Sequence, residues 1–216
     1  MEPEEAADHV RQAGEPPPPP QDATNQFRTR AALTIAVLGM LLAIASLGGD
    51  DALKQTLNAN VRASDTYAFY QAKNVRQTVT ILAADALETT LRLQADTLEP
   101  AQRQDLERRL ADYRAEIARY ESDPAPEDPG NPLRGEGKAQ LLPQAQDWEA
   151  TRDRADAQHH SFDYARGLFQ IAIVLGSVAI LAVSRPVLGC ALILGGIATI
   201  LMLNGFFLFV KLPGGA

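Results

Sequence analysis

The hydrophobic residues of this chain are concentrated in three charge-free blocks, and the charged residues lie outside them. The blocks are residues 31–47, 167–184 and 187–210. The first has 17 residues, which as an α-helix span about 25 Å, near the lower limit for crossing a bilayer. Only Arg185 and Pro186 separate the other two, which predicts a transmembrane hairpin with its turn at those residues. We place three transmembrane helices at residues 28–49, 167–184 and 187–210.

The first block has an alternative interpretation as a cleavable signal peptide. Arg28 and Arg30 precede it, and Ala43-Ile44-Ala45 resembles a small-residue cleavage site. A signal peptide has only a short segment before its apolar core, whereas here a long proline-rich segment precedes the block. We therefore expect an uncleaved anchor.

Residues 1–27 are polar, acidic and interrupted by five consecutive prolines at 16–20. A proline run holds an extended rod, and its flanks offer few apolar residues to bury. We predict a disordered tail.

Between the first and second blocks, residues 50–166 carry apolar positions at alternating steps of four and three residues. This is the spacing of helices that pack along a coiled-coil seam, not of strands. The first seam is Ala68, Ala72, Val75, Val79, Leu82, Ala86 and Leu93. The second is Leu106, Leu110, Tyr113, Ile117 and Tyr120. The third is Leu141, Ala145, Trp148, Arg152, Ala155, His159 and Phe162, and it reaches Phe169 inside the second block. Arg152 and His159 are polar, so this seam is the weakest of the three.

Prolines divide this region into three predicted helices and a linker. Pro100 ends the first, the proline-rich stretch 123–132 ends the second, and Pro143 is expected in the first turn of the third. The helices are placed at residues 51–98, 101–121 and 142–165, with a linker at 122–141. The first rises about 70 Å, and the other two together retrace nearly that distance. The predicted fold is therefore an all-α membrane protein with three transmembrane helices and a long antiparallel coiled-coil-like region between the first and second; a shorter three-helix bundle is the alternative.

The balance of charge excludes one class of partner. The formal net charge is −7, and no basic run is present, so the chain has no electrostatic footprint for nucleic acid. The single cysteine excludes an internal disulfide framework. The sequence has no glycine-rich phosphate loop and no nucleophile elbow. We expect neither enzymatic activity nor a cofactor.

The distribution of arginine predicts the orientation in the membrane. Arg28 and Arg30 before the first block, with Asp50 and Asp51 after it, place the N-terminus in the cytoplasm, and Arg185 in the hairpin turn agrees. Basic residues at the far ends of the later blocks oppose this orientation: they are Arg152, Arg154, Arg166 and Lys211. We favour a cytoplasmic N-terminus because the first helix usually dominates.

One cluster has the chemistry of metal ligands. Asp156, His160 and Asp163 are spaced by four and three, so on a helix they share a face, and His159 is adjacent. Imidazole and carboxylate groups bind zinc and other divalent ions. A further ligand would be required, and the alternative is a polar turn at the membrane interface.

A second cluster has the chemistry of a contact surface. Its residues are Tyr67, Tyr70, Lys73, Asn74 and Arg76. Aromatic and arginine side chains often anchor protein interfaces, so the cluster is a candidate contact for a partner or a second copy. Packing against the returning helix of the same chain is the alternative.

Two stretches carry a resemblance to a known family. They are TIAVLGMLLAIASL followed by ASDTYAFYQAKNVRQ near the start, and HHSFDYARGLFQIAIVLGSVAILAVSR at residues 159–185. The chain resembles a bacterial membrane family known as domain of unknown function 4337. The resemblance implies a small inner-membrane protein with several membrane helices, and it implies no activity.

Three functions remain open from these observations. The leading hypothesis is a multi-pass protein of the bacterial inner (plasma) membrane that forms homo-oligomers, or binds a membrane-protein partner, through its alanine-rich helical region. The second is a membrane-coupled ligand or metal sensor at His159 and His160. The third is a small channel or transporter, which the charge-free blocks argue against, since ion pathways usually need intramembrane ionisable groups.

Overall fold

The structure, a computed structural model, describes residues 21–210. This part of the chain is helical, with no strand beyond an isolated bridge between Pro124 and Gly135. The helices are α1 (Gln21–Leu93), α2 (Pro100–Glu121), α3 (Lys138–Ala182) and α4 (Arg185–Phe207). The described residues divide into unit 1, with residues 21–49 and 160–210, and unit 2, with residues 50–159. The predicted all-α class is confirmed.

Unit 1 is held together by small residues where its helices approach. A Cβ atom on Gly176 would lie 2.8 Å from Cγ1 of Ile35, and one on Gly195 would lie 2.5 Å from Cδ2 of Leu38. Six alanines of the same three helices have no exposed surface; they are Ala31, Ala45, Ala172, Ala179, Ala191 and Ala198. Small residues let apolar helices pack closely without a large side chain between them. The α1 segment of unit 1 is therefore in direct contact with both α3 and α4.

The ring of Phe162 fills the other end of this packing. Cβ atoms on Gly48 and Gly205 would lie 2.7 Å and 2.8 Å from its ring carbons, and Phe206 meets it edge-on with ring centroids 4.9 Å apart. These glycines therefore make room for an aromatic ring, since any side chain there would displace it.

Unit 2 consists of the remainder of α1 with α2 and the first part of α3. The residue pairs that join these helices show that α1 runs antiparallel to the other two. Tyr67 of α1 donates to Glu149 of α3 (3.2 Å), whereas Asn74, one heptad further, accepts from Lys138 (3.3 Å). Along α2, Gln77 reaches the carbonyl of Ile117 and Glu88 pairs with Arg114 (2.9 Å). The partner's number falls as that of α1 rises, so α1 runs antiparallel to both helices.

The first helix differs from the predicted bounds at both ends. A disordered tail was expected as far as residue 27, but α1 begins at Gln21; residues 1–20 lie outside the described part. A boundary was also expected near residue 50, yet α1 passes through Gly48 and Gly49 without interruption, because these glycines face Phe162 and do not form a turn. The helix then ends at Leu93, five residues before the predicted end.

The third helix begins earlier than expected. Pro143 was expected in a first turn beginning near residue 142, but α3 begins at Lys138, so the linker is 122–137 and Pro143 lies inside the second turn. The carbonyl of Gly137 accepts from the backbone nitrogens of Gln140 (3.0 Å) and Leu141 (2.9 Å). This backbone bonding starts the helix before the proline.

The turn between the last two helices was also misplaced. It lies at Val183 and Ser184, and Arg185 and Pro186 are already the first turn of α4. A proline there sacrifices no helical hydrogen bond, since the first N–H groups of a helix have no partner within it. Val183 adopts the left-handed region (φ 49°) to reverse the chain. The last helix ends at Phe207, three residues before the predicted end.

Candidate interaction surface

The face of α1 that is buried inside unit 2 is made of small and polar residues. Its buried members are Ala52, Ala59, Ala63, Lys73, Gln77 and Ala84, which we call the inner face. Alanine lets helices approach closely but buries little apolar area per turn. The inner face therefore depends on polar contacts more than an ordinary apolar seam does.

These polar contacts form one network, which we call the polar junction. Its members are Lys73, Asn74, Gln77, Glu121, Glu136 and Lys138. The amide of Gln77 donates to Glu121 (3.1 Å), and the ammonium group of Lys138 lies 3.0 Å from the same carboxylate. Lys73, only 7% exposed, lies 3.6 Å from the carboxylate of Glu136 and over the ring of Phe69. Two cations thus face two carboxylates, so the junction is balanced in charge.

The junction perturbs one titration clearly. The hydrogen bond from Gln77, followed by that from Lys138, holds the pKa of the Glu121 carboxyl below its ordinary value of 4.5. Hydrogen bonds to a carboxylate favour its charged form. Glu121 is therefore ionised and bonded across the physiological range.

The loop between α2 and α3 is closed on itself beside the junction. The backbone nitrogen of Glu136 donates to the carbonyl of Asp123 (2.9 Å), and the side chain of Gln140 accepts from the Asp123 nitrogen (3.1 Å). Gly135 has φ +121°, which favours glycine, and a Cβ atom on Gly137 would collide with the backbone of Asp123 and Ser122. The two glycines thus allow the ends of the loop to meet.

The five candidate contact residues separate into two groups. Tyr67, Lys73 and Asn74 contact residues of their own unit, so for these three the intramolecular alternative describes their geometry. Tyr70 is half-buried, and Arg76 is exposed. Burial, followed by the hydrogen bond to Glu149, raises the pKa of Tyr67, so its hydroxyl stays protonated as a donor.

The three predicted seams face different ways. In the second, Leu110 is buried and the other members are half-buried, and in the third Leu141, Ala145 and Ala155 are buried. The first seam is exposed throughout, and we call its residues (Ala68, Ala72, Val75, Val79, Leu82, Ala86 and Leu93) the outer seam. Its four large side chains are 61–80% exposed. The second and third seams therefore pack within the chain, and the first seam does not.

Sequence reasoning missed the members of the polar junction beyond Lys73 and Asn74. The signal was present: Ala59, Ala63, Tyr70, Lys73, Gln77 and Ala84 follow the same alternation of four and three as the outer seam. These positions are less hydrophobic than the outer seam, because Lys73 and Gln77 lie at their centre. A search for the most apolar face of α1 therefore selects the outer seam. Their partners are 40 residues or more away in sequence, at Ile117, Glu121 and Glu136.

The side chains of the histidine cluster are not grouped as a set of metal ligands in the described part of the chain. Across residues 21–210, no group of three or more His, Cys, Asp or Glu side chains is placed to hold a metal ion. His159 and His160 are half-buried and Asp163 is exposed.

The apolar helices of unit 1 contain one buried polar pair. The Asn204 amide donates to the Ser161 hydroxyl (3.0 Å) and to the carbonyl of Val210 (2.9 Å), and its oxygen accepts from the nitrogen of Val210 (2.8 Å). A polar side chain buried among apolar helices is stable only with such partners. Asn204 therefore ties the end of α4 to α3.

Three helices of the described chain are long and apolar enough to cross a membrane, judged by length and composition: the segments Ala23–Leu93, Lys138–Ala182 and Arg185–Phe207. Many large apolar side chains of unit 1 are exposed, among them Leu181 (83%) and Ile200 (68%). The molecule thus has the features of an all-helical protein compatible with a multi-pass membrane protein.

Comparison with known families agrees with this class. The model of a family described as Domain of unknown function (DUF4337) matches residues 27–208, and the chain belongs to that family. The resemblance seen in the sequence is confirmed. No curated protein and no solved structure matches the chain.

Proposed function

We propose that the protein is an integral membrane protein of three spans, in which unit 2 is a structural module for self-association or for binding a membrane-protein partner. The observation that carries the proposal is the number of large apolar side chains that stay exposed on the helices of both units. In unit 1 the exposed residues suit lipid, and in unit 2 they suit another helix.

The exposed surface of unit 1 supports membrane insertion. Apolar surface in water costs about 25 cal/mol for each Å², and soluble monomers rarely expose large contiguous apolar patches. Hydrocarbon removes that cost, and helices satisfy all their backbone hydrogen bonds internally, as a bilayer requires.

Two arginines support the orientation predicted from the sequence. Arg30 of α1 and Arg185 of α4 line the same cleft of about 500 Å³, together with Phe27 and Leu188. They therefore lie at the same end of unit 1. Because basic residues accumulate on the cytoplasmic side, we assign that end, and with it the N-terminus, to the cytoplasm of a bacterial cell.

The polar groups of unit 2 support a structural role. The carboxylates and cations of the polar junction are engaged with each other, and within residues 21–210 every buried side-chain nitrogen or oxygen has a hydrogen-bond partner. These paired groups hold the helices of unit 2 together. We therefore propose that the module acts through its surface, without catalysis.

The experiment has two arms on the full chain. Membranes from expressing cells are washed with alkaline carbonate, and the detergent-solubilised protein is then measured for mass and co-purifying proteins. We expect the chain to stay in the membrane after the carbonate wash. After solubilisation, we expect it to form an oligomer or a stoichiometric complex with another protein. Release by carbonate would contradict membrane insertion, and a monomer without a partner at all concentrations would contradict the interaction role.

A further inference from the structure

We propose that the outer seam pairs, parallel and in register, with the outer seam of a second copy of this chain. The inference rests on the proposed function, and it specifies the surface, the partner and the orientation of the self-association.

The outer seam lies on the opposite side of α1 from the inner face. Successive residues of an α-helix are about 100° apart around its axis. On this wheel the outer seam and the inner face are centred about half a turn apart. Ala68 to Ala86, a stretch about 27 Å long, therefore faces away from α2 and α3 with six uncharged residues.

The apolar surface of unit 2 is concentrated on this helix. Among the described residues of unit 2, every exposed valine, isoleucine, leucine or phenylalanine belongs to α1 except Leu133 and Leu142. A seam with this spacing requires a partner helix that presents the same spacing. The seams of α2 and α3 face the inside of unit 2, so neither helix can pack against the outer seam. A second copy of α1 presents an exposed seam with the same spacing. Identical patches facing across a two-fold axis are the commonest form of association.

The area of the seam sets the strength of the pairing. A valine or leucine side chain carries roughly 100 Å² of apolar surface, judged by its transfer free energy. Because the four valine and leucine side chains of the seam are 61–80% exposed, they and the three alanines together offer about 400 Å² per copy, hence about 800 Å² in total. Stable interfaces bury about 1,200–2,000 Å². Pairing is thus weak between freely diffusing molecules. It becomes effective when two copies lie in one bilayer, where effective concentration is high.

Charge at the borders of the seam favours the parallel pair over the antiparallel pair that aligns Val75 with Val79. In a parallel, in-register pair, Gln71 lies beside Arg76 of the second copy, an uncharged contact. In the antiparallel pair that aligns Val75 with Val79, Arg76 would face Arg76 of the second copy, and like charges repel. Valine and leucine at the consecutive seam positions Val79 and Leu82 also favour a two-stranded parallel arrangement.

The test is disulfide cross-linking of the full chain in native membranes, with Cys190→Ser as the background. Leu82→Cys places a thiol on the seam, and Ile81→Cys is the matched control, since Ile81 is also exposed but points about 100° away. Mild oxidation is expected to give a disulfide-linked homodimer with Leu82→Cys, several-fold more than with Ile81→Cys. Val75→Cys is expected to cross-link to itself.

Each other outcome overturns a defined part of the inference. Suppose that Leu82→Cys and Ile81→Cys cross-link equally while the oligomer stays intact in detergent. The outer seam would then not be the contact surface, although the proposed self-association would still stand. Cross-linking of Val75→Cys only with Val79→Cys in mixed membranes would overturn the parallel orientation. Cross-links from Leu82→Cys to a different protein, without homodimer, would overturn the second copy as partner. A monomer that gives no cross-link and brings down no partner would overturn both the inference and the interaction role.

Discussion

The inner face and the outer seam of α1 lie on one helix with the same alternation of four and three residues, yet they differ in composition and surroundings. The inner face consists of alanines, Lys73 and Gln77 and is buried, whereas the outer seam carries Val75, Val79 and Leu82 and is exposed. The face of α1 that packs inside the chain is thus the one with specific polar contacts, and the more apolar face is exposed. The spacing of a seam indicates that a helix has a neighbour, but composition does not indicate which neighbour.

The largest effect on unit 2 is expected where the loop holds the return helices against the inner face. Gly137→Ala places a Cβ atom into the backbone of Asp123 and Ser122, and overpacking of this kind costs about 1–3 kcal/mol. Unfolding of the full chain in detergent, followed by circular dichroism, measures the loss. Gly130→Ala is the control, because no atom lies within 4 Å of the added carbon; equal losses would contradict the proposed closure of the loop.

A smaller loss is expected from the inner face itself. Gln77→Leu removes the donor to the Ile117 carbonyl and to Glu121, and a hydrogen bond of this kind contributes about 0.5–1.5 kcal/mol net. The same unfolding measurement applies. A gain in stability would show that apolar packing, and not polar matching, orients this face.

A still smaller effect is expected from pH. Because the folded state lowers the pKa of Glu121, the carboxylate stabilises unit 2 fully above its ordinary pKa of 4.5. This contribution is lost as pH falls through the lower folded value. We expect wild-type stability to fall more steeply than that of Glu121→Gln between about pH 5 and pH 3. Parallel curves for the two proteins would contradict the role of this contact.

The smallest effect on folding is expected from the outer seam. Leu82→Glu changes a residue that is exposed in the single chain. Substitutions of exposed residues usually change the free energy of unfolding by no more than about 0.5 kcal/mol. Thermal unfolding at low protein concentration checks this. A loss as large as that of Gln77→Leu would mean that the outer seam packs inside the chain after all.

Much of the fold follows from local signals in the sequence, and the exceptions have physical causes. The charge-free blocks, Pro100 and the proline-rich linker place the observed helix ends to within seven residues. Gly48 and Gly49 suggested a boundary because glycine weakens an isolated helix, but contact with Phe162 from a distant helix outweighs that preference. The second and third seams face inward and pack within the chain. The buried face of α1, by contrast, is the one that contacts Glu121, Glu136 and Lys138, or lies beside residues that do. The pattern of residues along α1 alone does not reveal these contacts.

The central claim is that the exposed apolar face of α1, the outer seam, is the surface for a second copy. It is tested most directly by resonance energy transfer between labelled copies of the full chain in lipid vesicles at a rising protein-to-lipid ratio. The account predicts that the wild-type protein shifts to a dimer, while Leu82→Glu stays monomeric with unchanged helical content. A dimer of the same strength in both proteins would contradict it.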